Sequence, residues 1–172
     1  MNKNLCKSMR VVRKDVGGVG GVNSENIRGL WERCRVDPVF FSDEIVGYRD
    51  GLGLWEKQKE ILRAIEKYDK VCIRSGYGVG KTFTLARAVL WFVSCFHPSK
   101  VITTAPVYAQ VEEILWGEIK TQYKNSKIPL GGTMLNTQWK VNDEHWAVGL
   151  STDEPERFQG RHQENVLVIF DE

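Results

Sequence analysis

Eight consecutive residues, Ser75, Gly76, Tyr77, Gly78, Val79, Gly80, Lys81 and Thr82, have the composition of a loop that surrounds phosphate. Glycines let successive backbone N–H groups turn inward around anionic oxygens. A lysine after the last glycine supplies a point charge to the β- and γ-phosphates, and a following hydroxyl suits a phosphate-bound Mg²⁺. The general template is G-x-x-x-x-G-K-[ST]. Here Ser75 stands at its first glycine, while Gly76 and Gly78 keep the interior of the loop permissive. The chemistry this spacing can support is the binding of a nucleoside triphosphate with its magnesium ion.

A second group lies 90 residues beyond Lys81, where the apolar run Val166–Phe170 delivers Asp171 and Glu172. In α/β sheets the C-terminal ends of strands are where ligands bind. There Asp171 suits the magnesium shell and Glu172 suits the orientation or activation of an attacking water. Gln58, 17 residues before Ser75, carries an amide that both donates and accepts, as the edge of adenine requires. Phosphoryl transfer also calls for extra positive charge at the transition state. Arg74, Arg157 and Arg161 are the candidates for it, and each reads equally well as a surface arginine. Thr103 to Gln110 (TTAPVYAQ) leaves a strand through a proline, and its hydroxyls and N–H groups could hold a nucleic-acid backbone. A plain strand-to-helix connection explains that segment almost as well.

The elements that must position these groups follow from periodicity. Ser24 is placed to cap a helix through Leu30, Trp31 and Cys34, and Asp37-Pro38 then punctuates the chain. Leu54, Trp55, Gln58, Ile61, Leu62 and Ile65 recur at helical spacing. The period then changes: Lys70–Ser75 reads as a buried strand, with Cys72 as a small core residue. Thr82–Phe96 is apolar nearly all round, which predicts a buried helix. Val101–Ala105 is the next strand, Tyr108–Tyr123 a helix, 133–151 an antiparallel hairpin turning at Asn142-Asp143, 153–164 a polar loop, and Val166–Phe170 the last strand. Strands alternating with helices predict an α/β domain with a mainly parallel sheet, flanked by helices and carrying an inserted β-hairpin.

Composition narrows the classes further. The chain of 172 residues is 42% hydrophobic and 27% charged, which fits one globular domain over residues 24–172 behind a basic tail over 1–23. The first 35 residues carry eight Lys/Arg against three Asp/Glu, whereas the rest carry sixteen against nineteen. That surplus reads as a solvated tail or as a phosphate-contacting arm. The glycine-rich stretch Gly17–Gly21 reads as a linker. No apolar run approaches the roughly 18 residues of a membrane span, and the basic N-terminus lacks the apolar stretch of a secretory signal. A cytoplasmic location without membrane association is the expectation. The four cysteines form no C-x-x-C pair, so neither a zinc site nor a disulfide framework is expected.

Taken together, LWEKQKEIL, RSGYGVGKT, TTAPVYAQV and ERFQGRHQENVLVIFDE, with CRVDPVFFSDEIVG upstream, resemble the ATPase domain of a phage terminase large subunit from about Leu30 to Glu172. The resemblance implies a P-loop NTPase fold of the RecA-like type, ATP and Mg²⁺ as cofactors, and a motor that translocates double-stranded DNA into a capsid. It also implies a homo-oligomeric ring, with the terminase small subunit and the portal protein as partners. By the same resemblance Gln58 contacts adenine, Ser75 to Thr82 form the Walker A loop, Asp171 is the Walker B aspartate and Glu172 the catalytic glutamate. Arg157 falls near the family's arginine acting in trans, with Arg161 competing for that role. The family's coupling motif and nuclease domain lie beyond the position of Glu172, so nuclease activity is not carried over. Such ATPases insert a further strand between the Walker A and Walker B strands, which implies a gap in the sheet here and little steady-state ATPase from these 172 residues. The alternatives are a fragment of a superfamily-two helicase, whose motifs run in a similar order, and an inactive prophage remnant.

Overall fold

The computed structural model describes residues 24–48, 51, 53–107, 109–151 and 164–171. Helix α1 (Ser24–Val36) opens with Glu25 and closes with Arg33 and Arg35, each sign matching the helix dipole. Asp37 then starts α2 (Pro38–Phe41): its Oδ1 accepts the N–H groups of Val39 and Phe40, both at 3.0 Å, and Pro38 occupies a first-turn position that needs no donor. The chain continues as one π-helical turn, Ser42–Val46. Helix α3 (Glu56–Lys67) buries Gln58 and Leu62.

Helix α4 (Lys81–Cys95) is the centre of the molecule. It is buried from Thr84 through Trp91 and again at Val93, as its all-round apolar sequence requires. Helices pack against several of its faces and the sheet covers another. Trp91 donates its indole N–H to the Cys34 carbonyl at 2.7 Å, which ties α1 to α4 while satisfying a polar atom in the core.

Strand β1 (Ser99–Ala105) lies beneath α4, and a π-helical turn (Gln110–Leu115) then leads into α5 (Trp116–Lys124). Strands β2 (Thr133–Met134), β3 (Gln138–Asn142), β4 (His145–Ser151) and β5 (Asn165–Phe170) complete a five-stranded sheet in the order β2-β3-β4-β1-β5. β1 runs parallel to both β4 and β5, while β3 is antiparallel to β2 and β4. The fold is therefore α/β with a mixed sheet flanked by helices. The hairpin foreseen at 133–151 exists, but it is no peripheral insertion: its second strand is the inner neighbour of β1. Trp116 fixes this arrangement, because it is fully buried and donates to Thr103 Oγ1 at 2.9 Å.

One strand expectation fails. Lys70–Ser75 has no regular secondary structure and no sheet partner among the described residues. Val71 and Cys72 are exposed and Ile73 is half-buried, so Cys72 is not a core residue. A strand needs a neighbour to satisfy its N–H and C=O groups. The nearest strand in the expected layout, β5, is the edge of the sheet.

Candidate functional site

The loop that begins at Ser75 ends where α4 begins. Gly78 and Gly80 have φ of 74° and 78°, values that glycine adopts without steric cost. Gly80 is the residue before the first turn of α4, so the loop delivers the chain to the positive end of a fifteen-residue helix. Gly80 has a second reason to be glycine: a Cβ there would lie 2.5 Å from Gln58 Nε2. Lys81 curls back over the loop, its Nζ 3.3 Å from the Ser75 carbonyl and 3.4 Å from that of Gly76. The ammonium is thus held against the loop's own backbone. Thr82 is half-buried in the first helical turn, and Thr84 braces the junction by donating its hydroxyl to the Gly80 carbonyl at 2.9 Å. Tyr77, at the tip, is 94% exposed and Val79 half-buried.

Gln58 is buried, not an ordinary surface glutamine. Its Oε1 accepts the Trp55 N–H at 3.3 Å, which leaves Nε2 against Gly80. The fold therefore brings Gln58 and Gly80, two of the expected site residues, into contact. Beside them opens a cavity of about 470 Å³, within the range of small-molecule sites. Its walls include Tyr48, Gln58, Phe83, Arg87, Glu118 and Gln122.

Arg87, Glu118 and Gln122 were absent from the sequence expectations. Arg87 is 2% exposed and donates to the carbonyls of Ser42 at 2.8 Å and Gly47 at 2.5 Å. Its guanidinium also lies over the rings of Tyr48 and Phe83, 4.5 and 4.8 Å from their centroids. A lone arginine in an otherwise apolar helix was the available signal for it. The Tyr48 hydroxyl donates to Asp43, and burial followed by that hydrogen bond pushes its pKa well above the ordinary phenol range. Tyr48 therefore acts as a neutral ring with an occupied hydroxyl.

Asp171 follows β5 directly and its N–H donates to the Thr104 carbonyl at 2.9 Å. It therefore sits at the aligned C-terminal ends of the parallel strands β4, β1 and β5. The oxygens of Thr82 and Asp171 are the hard ligands that Mg²⁺ selects. Arg157, Arg161 and Glu172 lie outside the described residues, as do Tyr108 and the tail 1–23. Arg74 is exposed. Among the described residues no helix is long and apolar enough to cross a membrane. No protein-family model matches the chain, and no curated protein is found to be similar to it.

Proposed function

We propose that this chain is the ATP-binding and ATP-hydrolysing part of a DNA-packaging motor of the terminase large-subunit type. The observation that carries the nucleotide reading is the convergence at Gly80. The glycine loop, the N-terminus of a buried helix, the amide of Gln58 and a ligand-sized cavity all meet there. Packing of α3 on α4 through Leu62 and Ala88 brings Gln58 to the loop, and a triphosphate nucleotide would use the loop, the helix N-terminus, the amide and the cavity together.

In this reading the loop N–H groups and the helix dipole hold the phosphates, and Lys81 adds a positive charge that grows in value as charge moves onto the bridging oxygen. Thr82 and Asp171 would hold Mg²⁺, and the ion would supply charge neutralisation at the phosphates. Glu172 takes the proton of the attacking water, and Arg157 from a neighbouring subunit of the ring stabilises the transferring group. Double-stranded DNA, the small subunit and the portal protein enter as partners through the sequence resemblance.

The test is made in the intact motor protein, since little steady-state ATPase is expected from these 172 residues by themselves: it compares wild type with Glu172→Gln in ATP binding and in ATP hydrolysis, with and without double-stranded DNA. DNA should raise wild-type hydrolysis, and the variant should bind ATP normally while hydrolysing it at least about a hundredfold more slowly, the scale of losing a general base. Equal hydrolysis by the two proteins removes Glu172 from the mechanism. ATP-driven separation of DNA strands would favour the helicase reading over the packaging motor.

A further inference from the structure

We infer that Thr84 is a positioning residue for the phosphate loop: its hydroxyl fixes the direction of the Gly80–Lys81 peptide, so that the Lys81 N–H faces the phosphates. This rests on the proposed triphosphate site and adds to it a residue outside the eight of the loop.

Thr84 is fully buried in the first turn of α4, and its hydroxyl donates to the Gly80 carbonyl at 2.9 Å. Its backbone N–H donates to the same carbonyl at 3.0 Å. One oxygen thus takes both donors that Thr84 owns. In a trans peptide the C=O and the following N–H point in opposite directions. With the Gly80 carbonyl aimed along α4 at Thr84, the Lys81 N–H is aimed away from the helix, on the side of the loop. It is the first of the N–H groups that a helix N-terminus leaves for an anion.

The peptide needs this hold because of what precedes it. Gly80 has φ 78° and ψ 31°, and Gly78 is left-handed as well. Glycine passes between left- and right-handed backbone without a Cβ penalty, so the Gly80–Lys81 peptide can turn over at small cost. Turned over, it would present a carbonyl oxygen to phosphate in place of an N–H. The helix beyond is firmer. Gln122, 5% exposed, donates from α5 to the Phe83 carbonyl at 3.1 Å and holds the first turn from outside. The joint between a braced helix and an exposed loop is therefore this one peptide, and Thr84 doubles the bond that orients it. Thr121 makes the same kind of bond to the Gly117 carbonyl at 2.9 Å, but Gly117 has helical backbone on both sides and no freedom to turn. Place, rather than the bond alone, gives Thr84 its role.

The test measures the dissociation constants of Mg-ATP and Mg-pyrophosphate, with the melting temperature, for the wild-type chain, Thr84→Val and Thr84→Ser. Valine keeps the buried shape and loses the hydroxyl, whereas serine keeps the hydroxyl and loses a buried methyl. Thr84→Val should melt close to wild type and bind both probes about threefold to tenfold more weakly, the range of one net hydrogen bond. The factor should be equal for the two probes, since pyrophosphate carries no base. Thr84→Ser should melt lower, through the lost methyl, and bind both probes as wild type does. Affinity and stability would then fall in different variants, which a threonine with a merely structural role would not produce. Wild-type affinity in Thr84→Val, or affinities that fall in step with melting temperature across the three proteins, overturns the role of Thr84 and leaves the triphosphate site standing. If wild type binds neither probe, the triphosphate site falls and takes this inference with it.

Discussion

Two segments with the same local character end differently in this molecule. Val71–Arg74 and Val101–Ala105 are both short, apolar and rich in β-branched residues. Val101–Ala105 lies in β1 with a parallel strand on each side, and all five of its residues are buried. Val71–Arg74 has no ladder, and no residue in it is fully buried. Strand β5 is the intermediate case. It pairs with β1 on one side only, and Val166, Val168 and Phe170 are 40, 41 and 71% exposed. An apolar β-branched run is thus a condition for a buried strand, but the neighbouring ladder decides whether one forms. Parallel strands are ordinarily covered on both faces, so the exposure of β5 marks it as the edge of the sheet among the described residues.

Substitutions in the unpaired segment and in the residues packed against β1 should separate the two by size of effect. The largest is expected for Trp116→Ala, which empties a fully buried site against β1 and leaves Thr103 Oγ1 with only its long, 3.5 Å bond to the Val148 carbonyl. The expected loss is about 3–5 kcal/mol of unfolding free energy, measured by urea denaturation. A loss under about 1 kcal/mol would mean that the paired half of the sheet is no better packed than the unpaired segment.

A smaller, pH-dependent effect is expected at the opposite rim of the same half. His145 begins β4, and its Nδ1 accepts the Ser99 N–H of β1 at 2.9 Å. Burial, then the neighbouring His97 ring at 4.4 Å, lowers its pKa from the ordinary 6.5 to about 4. The folded state therefore binds the proton less readily than the unfolded state. The stabilisation is complete above pH 6.5 and is lost as pH falls through about 4. The melting temperature should drop across that window by more in wild type than in His145→Asn, which keeps an acceptor and lacks the titration. Parallel pH profiles for the two proteins would remove His145 from the stability of the β1–β4 pair.

The smallest effect is expected for Val71→Ala. A side chain that is 38% exposed and belongs to no ladder should cost within about 0.5 kcal/mol. A cost of about 2 kcal/mol would show that this segment is packed as firmly as β1 and would dissolve the contrast between them.

The same contrast explains how much was legible in the sequence. α4, β1, β5 and the hairpin were readable because each declares itself by local periodicity and by the punctuation around it. The parallel pairing of β4 with β1 was not readable, since a hairpin pattern specifies its own turn and says nothing about the strand on its other side. Lys70–Ser75 was misread for the same reason: pattern reports what a segment can bury, and only the fold supplies what covers it. At the site, Gln58 and the glycine loop were singled out by residue type and spacing. Arg87, Glu118 and Gln122 were missed because their roles arise from helices brought together in space. Arg87 replaces local contacts with carbonyls 40 and 45 residues away.

The claim on which all of this converges is that the loop ending at Gly80 is a triphosphate site, and Mg-ATP binding to wild type and Lys81→Ala tests it most directly. Among the described residues Lys81 touches the Ser75 and Gly76 carbonyls at 3.3 and 3.4 Å and the exposed Tyr77 ring, so its removal should leave the fold and its melting temperature nearly unchanged. The expected result is saturable ATP binding by the wild-type chain and an affinity at least about a hundredfold weaker in the variant, the loss of a charge-assisted contact with phosphate. Equal affinities in two equally folded proteins would contradict the assignment.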